Sequence, residues 1–397
     1  MKYFSHLNTA VKILGSYKGQ QPFVIFLKEF FSRDKKYGSK DRKQIAQLCY
    51  CYFRLGKAGR GLLPEDRILT AYFLCAKGSD ELLQHLKPAW NEFQSMTAAQ
   101  KLVALHLPFS LEDIFPWQEE LSDSIDHHDF CQSFLIQPDL FLRIRPGKEK
   151  NVLLKLDNAG IDYQQLAPDC IAVANSTKIE AVIEVNKEAV VQDYSSQQTG
   201  KFLQHLQPIL KKKPSVWDCC AASGGKSILA NDVLGNIDLT VSDIRESILS
   251  NLKKRFNEAG IRNYKSILAD LYSQPDSHRV DSHNEKYDLI IADVPCTGSG
   301  TWGRTPEQLL YFEKEKINEY ADRQEKIISN VIPSVKPGGY LLYITCSVFK
   351  KENEDRVDFI KQKFSLAFIM MDVLKGYDKK ADTLFAALLR KPDAPIP

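Results

Sequence analysis

Apolar residues recur at three- and four-residue spacing through the first 130 positions, as in FVIFLKEFF (23–31) and RKQIAQLCYCYFRLGK (42–57). That spacing predicts amphipathic helices, because side chains three and four apart share one helical face. The intervening YGSKDR offers Ser39 as a helix N-cap after a glycine turn. Near residue 138 the texture changes. Alternating Leu140, Leu142 and Ile144 predict a strand, followed by a short helix ending at Gly160 and a small α+β unit reaching about residue 190. From about residue 214 apolar runs alternate with helical stretches: SVWDCC, IDLTVSD, YKSILAD, YDLIIAD, GGYLLYITCS and DTLFAALLRK. RESILSNLKKRFNEAG and EKEKINEYADRQEKIISNVI separate several of them, the pattern of an α/β fold with a mostly parallel sheet covered by helices on both faces. The polar stretch SQPDSHRVDSHNEK (273–286) reads as a surface loop without chemistry.

A chain of 397 residues exceeds the usual size of one core, so two or three domains are expected. Net charge is only +3, yet residues 1–60 hold 13 Lys/Arg against 3 Asp/Glu, and residues 61–130 hold 4 against 12. A basic module of this kind suits a polyanion such as RNA; a solvated helix face balanced by an acidic neighbour is the equal alternative on charge alone. Nine cysteines without C-x-x-C pairs favour a reducing compartment and argue against structural zinc, so no metal is expected. The first residues lack the apolar core of a secretion signal, and no stretch is long enough to span a bilayer; a soluble cytoplasmic protein is expected.

In an open parallel sheet, ligands sit beyond the carboxyl ends of the strands. Four carboxylates stand there: Asp218, Asp243, Asp270 and Asp293. After the first strand, Gly224 and Gly225 in CCAASGGKS permit a tight turn and close approach of a ligand to the backbone at a helix N-terminus. Asp243, about twenty positions on, can accept hydrogen bonds from ribose hydroxyls. The loop lacks G-x-G-x-x-G and the spacing of a nucleoside-triphosphate loop. A surplus of acid around a nucleoside site suits a cationic cofactor, S-adenosylmethionine.

Two strand-end thiols share this side of the sheet, Cys296 in ADVPCTGSGTW and Cys346 in YITCSVFKKENED. With Asp293 near them they point to chemistry on carbon. Carbon 5 of a pyrimidine becomes nucleophilic only after a thiolate adds at carbon 6, and the proton on carbon 5 must later be removed and the thiol expelled. The other cysteines (49, 51, 75, 131, 170 and 219) read as packing, and Cys220 as a backbone contributor to the cofactor loop.

These stretches, with VVQDYSSQQTG (190–200), DCCAASGGKS (218–227), SDI (242–244), LAD (268–270), ADVPCTGSGTWGRTPE (292–307) and YITCSVFKKENE (343–354), resemble the NOL/NOP/Sun family of RNA (cytosine-C5) methyltransferases, bacterial RsmB/Sun branch. GSKDRKQIAQLCYCYFR (38–54) is similar to the NusB-like domain that precedes the catalytic part in that branch, and PDLFLRIR (138–145) adds support. The resemblance implies a Rossmann-like class I S-adenosylmethionine-dependent methyltransferase domain over 191–397, after a helical NusB-like RNA-binding domain over 1–130 and a small α+β, RRM-like domain over 131–190. It implies that Cys346 attacks, that Cys296 assists release of the covalent RNA adduct, and that Asp293 contacts the cytosine beside the cofactor. The cofactor is then expected against Cys220, Ala221, Ala222, Ser223, Gly224, Gly225 and Lys226 and against Asp243, Asp270 and Asp293, with Lys226 near the methionine end or the substrate. Two departures stand out: Ser223 where the family usually has proline, which should alter rigidity more than hydrogen bonding, and Gly303 where it often has a second arginine.

The expected substrate is therefore RNA, small-subunit rRNA ahead of tRNA, handled by a monomer that must reach an unpaired or flipped cytosine. Basic residues of the first 60 positions and Lys211, Lys212 and Lys213 are candidate phosphate contacts. The rival from another class is an RNA-binding ribosome-assembly factor without catalysis; the missing glycine spacing disfavours a nicotinamide dehydrogenase, and TCS with the NusB-like start disfavours a DNA enzyme.

Overall fold

The computed structural model describes residues 2–34, 36–273 and 285–393, so most of the polar 273–286 stretch lies outside the described residues. The chain divides into two compact units, residues 1–121, 126–137 and 301–314 in one and residues 122–125, 138–300 and 315–397 in the other.

The first unit is helical, as the periodicity predicts, with its longest helices at Lys2–Ser16, Phe23–Arg33, Ser39–Arg54 and Pro64–Cys75. Phe53 and Tyr17 each meet the ring of Phe23 edge-on, at 4.7 and 5.0 Å between centroids. Ser39 is the first helical residue rather than the cap: the cap is Gly38, whose N–H donates to the Asp41 carboxylate at 3.2 Å. Residues 301–314, which the sequence pattern assigns to the sheet domain, belong instead to this helical unit. The reason is apolar: Trp302, Leu309 and Phe312 are buried there, with Trp302 4.7 Å from Phe312 and 6.0 Å from Phe115 between ring centroids.

In the second unit a small antiparallel sheet is built from β1 (Leu140–Ile144), β2 (Tyr163–Ala167), β3 (Cys170–Val173) and β4 (Ala189–Val191), in the order β2-β3-β1-β4. The helix Glu149–Asn158 joins β1 to β2, and a 3₁₀ turn, Ile179–Ala181, stands where a split βαβ unit would carry its second helix. Leu142, Ile144 and Ile171 pack with Val152 and Leu156 of that helix, while Phe141, Cys170 and Ala172 on the opposite face are covered by Ala381 and Tyr194. An RRM stacks bases on exposed aromatics of such a face; here the chain itself occupies it.

The large sheet has seven strands: β5 (Ser215–Asp218), β6 (Asp238–Asp243), β7 (Tyr264–Leu268), β8 (Tyr287–Asp293), β9 (Val335–Thr345), β10 (Ala367–Leu374) and β11 (Leu384–Arg390). Their order is β10-β11-β9-β8-β5-β6-β7; β11 runs antiparallel to both its neighbours, and the pairs from β9 to β7 are parallel. Six of the seven follow the predicted apolar runs. β10 is the addition, an edge strand in which only Val373 and Leu374 are buried. Because the chain leaves β5 toward β6 and returns to its other side with β8, the topological switch point lies beyond the carboxyl ends of β5 and β8. Among the described residues no helix is long and apolar enough to cross a membrane.

Candidate active site

Beyond β5 the chain turns sharply. Ala222 at φ 44° and Gly224 at φ 81° both adopt left-handed backbone, and a Cβ on Gly224 would lie 2.5 Å from the Phe256 ring. This turn starts the helix Gly225–Leu234. Its shape is held from several sides: Ala221 N–H donates to Ser242 O at 2.9 Å, Ala222 N–H to Asp243 Oδ2 at 3.1 Å, and Arg255 Nη1 to both Ser223 O at 2.9 Å and Ser223 Oγ at 2.6 Å. Ser223 thus adds one side-chain hydrogen bond that a proline could not make, where an effect on rigidity more than on hydrogen bonding was expected.

A cavity of about 410 Å³ opens beside this loop. Its walls include Cys219, Cys220, Asp243, Asp270, Pro295 and Arg323, with apolar surface from Ile244, Leu271 and Ile327. Of the expected cofactor residues, Cys220, Asp243 and Asp270 lie in these walls; Ala221, Ala222, Ser223, Gly224, Gly225 and Lys226 form the neighbouring turn. Ile244, Arg245, Leu271, Tyr272 and Arg323 escaped sequence reasoning. Ile244 had a usable signal, since it directly follows the strand-end acid and is 58% exposed despite being apolar; Arg323 in its helix had none. Asp243 is nearly buried and also accepts from Arg245 N–H at 3.0 Å. Asp270 accepts from the Ser273 hydroxyl at 2.7 Å and from Tyr272 N–H at 2.9 Å, and the Ser273 bond leads in holding its carboxyl below the usual range. Asp218 is fully buried, accepts from Ser227 Oγ at 2.6 Å and leaves Oδ1 without a partner. Burial first, then the charges of Asp293 and Asp243, raise its pKa to about 7.

The second cluster joins the ends of β8 and β9. Cys296 Sγ and Cys346 Sγ lie 3.2 Å apart, and Cys346 N–H donates to Cys296 Sγ at 3.3 Å. The bond to Cys346, reinforced by burial, pushes the Cys296 thiol well above its ordinary pKa. Lys226 Nζ bridges Asp293 Oδ2 at 3.1 Å and Ser196 Oγ at 2.9 Å, so the turn after β5 is tied to the Asp-x-Pro-Cys segment and to the VVQDYSSQQTG stretch. Thr345 Oγ1 donates to Asn353 Oδ1 at 2.6 Å, and Asn353 Nδ2 reaches Ser347 O at 3.0 Å.

The candidate phosphate contacts divide. Arg54 is buried and donates to Phe134 O at 2.7 Å and Gly303 O at 3.1 Å, and Lys57 donates to Phe312 O at 2.7 Å; both serve the helical core. Lys211 pairs with Asp288 at 2.9 Å. Lys12, Lys18, Lys28, Lys40 and Lys43 remain exposed.

The seven-stranded order, the switch-point turn and the acid-lined cavity define a Rossmann-like S-adenosylmethionine methyltransferase domain. Residues 204–383 match the family of 16S rRNA methyltransferases RsmB/F. The chain is 27% identical over 230 residues to the probable ribosomal RNA small subunit methyltransferase B of Bacillus subtilis, covering 57% of this chain and 49% of that protein. It is 30% identical over 193 residues to ribosomal RNA small subunit methyltransferase B of an Enterobacter species, covering 48% and 42%. The chain therefore spans about half the length of the curated relatives it matches. Among solved structures, the fold resembles the protein PH0851 with a TM-score of 0.68 at 19% identity over 98% of both chains. It also resembles a methyltransferase homologue from Pyrococcus horikoshii, with a TM-score of 0.57 at 19% identity over 74% of this chain and 98% of that one. The likeness to the RsmB/F methyltransferases thus lies over residues 204–383, somewhat under half of the chain.

Proposed function

We propose that this protein methylates carbon 5 of a cytosine in RNA, with small-subunit rRNA the favoured substrate. The observation that carries the reading is the pair of thiols in contact at 3.2 Å, in the loops that follow β8 and β9. A single thiol would suffice to attack a pyrimidine; a second one at hydrogen-bonding distance supplies a group for the later proton transfer.

The residues present fit the cofactor. Ile244, Leu271, Pro295 and Ile327 offer apolar walls for an adenine, Asp243 an acceptor for ribose hydroxyls, and Asp243 and Asp270 a negative field for a sulfonium. S-adenosylmethionine supplies an electrophilic methyl group there. Cys346 is the attacking group, adding as thiolate to carbon 6 and activating carbon 5. Cys296 is held protonated in the resting pair, first by its bond to Cys346 and then by burial. Once Cys346 is tied up at carbon 6 that bond is lost, so Cys296 can release its proton to solvent. As thiolate it then takes the proton from carbon 5 while the carbon-6–sulfur bond breaks and Cys346 leaves as thiolate. Asp293, oriented by Lys226, contacts the base edge. The helical unit, read as NusB-like, would select the RNA through its exposed lysines, with tRNA as the alternative substrate.

The test incubates labelled methyl donor and candidate RNAs with wild type and two variants. Cys346→Ala should transfer no methyl group, whereas Cys296→Ala should accumulate a protein–RNA adduct stable to denaturing electrophoresis. The reverse pattern would exchange the two roles, and full activity of both variants would remove the thiols from the reaction.

A further inference from the structure

Neither thiol loop is regular structure, yet their sulfurs meet. Pro295 to Gly298 follow β8, and Cys346 to Phe349 follow β9. Hydrogen bonds within each loop cannot fix the distance between them; something must bridge both. Direct bonds such as Gly300 N–H to Cys346 O and Val348 N–H to Ser299 Oγ, both at 2.9 Å, join the loops farther along, and one buried side chain joins them at the residues next to the two thiols. Glu352, in the 3₁₀ turn Lys350–Glu352, is completely buried and faces no cation within ion-pair distance among the described residues. Its Oε1 accepts from Thr297 N–H at 2.9 Å and from Gln324 Nε2 at 2.9 Å, and its Oε2 from Thr297 Oγ1 at 2.6 Å and Ser347 Oγ at 2.5 Å. Thr297 is the residue after Cys296, and Ser347 the residue after Cys346. Gln324 in turn donates to Pro295 O at 3.1 Å, the residue before Cys296, and Tyr343 OH holds the Glu352 carbonyl at 2.7 Å.

We propose that Glu352 is the positioning residue of the thiol pair: its carboxylate collects donors from both loops and thereby sets the contact between Cys296 and Cys346. This rests on the proposed thiol chemistry for its catalytic consequence, but not for its geometry. A buried carboxylate is an expensive way to stabilise a fold, since burial penalises its charge and raises its pKa. Four donors aimed at two oxygens offset that cost and give directionality that an apolar residue cannot. Glutamine at this position keeps the shape and the two N–H contacts of Oε1, but it loses the charge and puts an amide N–H on the Thr297 and Ser347 hydroxyls, which must turn from donors into acceptors, so the bridge between the loops weakens.

The experiment compares wild type with Glu352→Gln and, as a milder second variant, Ser347→Ala, which removes that hydroxyl's bond to Glu352 together with its contacts to Thr297 and Ser299 at 3.2 Å. Proximity is read without substrate or cofactor: diamide takes up the two thiol hydrogens as the sulfurs join, and a cross-linked 296/346 peptide is quantified by mass spectrometry. Glu352→Gln should slow that cross-link by about tenfold or more, because a disulfide tolerates little misalignment. Methyl transfer should fall about 100-fold in kcat, the cost of a displacement near 1 Å, with KM for S-adenosylmethionine within about threefold of wild type. Ser347→Ala should lie between wild type and Glu352→Gln in both measurements. A cross-linking rate equal to wild type in either variant, whatever happens to the melting temperature, would overturn the proposal and leave Glu352 a purely structural group. Unchanged activity of Cys346→Ala would instead sink the thiol chemistry while leaving the cross-linking result to judge Glu352.

Discussion

Asp218 shows how one side chain at a strand end can be read two ways. By position it belongs with the other three strand-end acids, but it is fully buried and bound to Ser227, outside the cavity walls. Its pKa of about 7, against about 4 in an unfolded chain, means that the folded protein favours the protonated form. A raised carboxyl contributes its stability fully below the unfolded value and loses it as pH rises toward the folded one. Wild type should therefore lose stability relative to Asp218→Asn between about pH 4 and pH 7, and the gap should stop changing above that range. Urea unfolding of both proteins at pH 5, 6 and 8 measures the difference; a gap independent of pH would mean that Asp218 is ionised throughout.

At the scale of elements, what the sequence made legible follows from how each strand is buried. Strands β5, β6, β8, β9 and β11 are covered on both faces and read as apolar runs, so their carboxyl ends and the acids there could be located. β10 could not, because AFIMMDVL is an edge strand whose first six residues are exposed or half-buried. The same logic separates the thiols from their support. Cys296 and Cys346 were visible by motif, whereas Glu352 looked like one charge among the Lys and Glu of FKKENED; only the fold brings Thr297, Gln324 and Ser347 around it. Gly300 is a similar hidden constraint. Its N–H donates to Cys346 O and its carbonyl accepts from Thr383 N–H, both at 2.9 Å, so the loop after Cys296 is stitched to the end of β9 and to the residue before β11. A Cβ there would fall 1.8 Å from Thr383 O. Gly300→Ala should cost about 3 kcal/mol in thermal or urea unfolding, since backbone must move to admit it; a loss within about 0.5 kcal/mol, the range of an ordinary surface substitution, would show that the stitch is slack.

For the whole molecule, the two units exchange chain. Residues 301–314 complete the helical unit: Phe23 N–H donates to Glu307 at 3.1 Å, Tyr311 OH to Tyr17 O at 2.9 Å, and a Cβ on Gly56 would strike Leu309 at 2.7 Å. Residues 122–125 make the reverse trip, with Ser122 N–H donating to Val348 O at 2.9 Å and Ser122 Oγ accepting from Asn353 at 2.9 Å. Truncation before residue 138 is thus no clean removal of a helical module. It strips the burial of Trp302, Leu309 and Phe312, worth about 2 kcal/mol each, and takes a partner from Asn353 beside the Cys346 loop. The 138–397 fragment alone should bind a hydrophobic dye and self-associate in gel filtration. Co-expressed with a separate 1–137 chain it should copurify as a one-to-one pair that no longer binds dye, because the helical unit supplies the missing cover for 301–314. A fragment that stays monomeric and dye-free by itself would mean that 301–314 refolds onto its own chain, and the helical unit could then be deleted cleanly to test whether RNA binding depends on it.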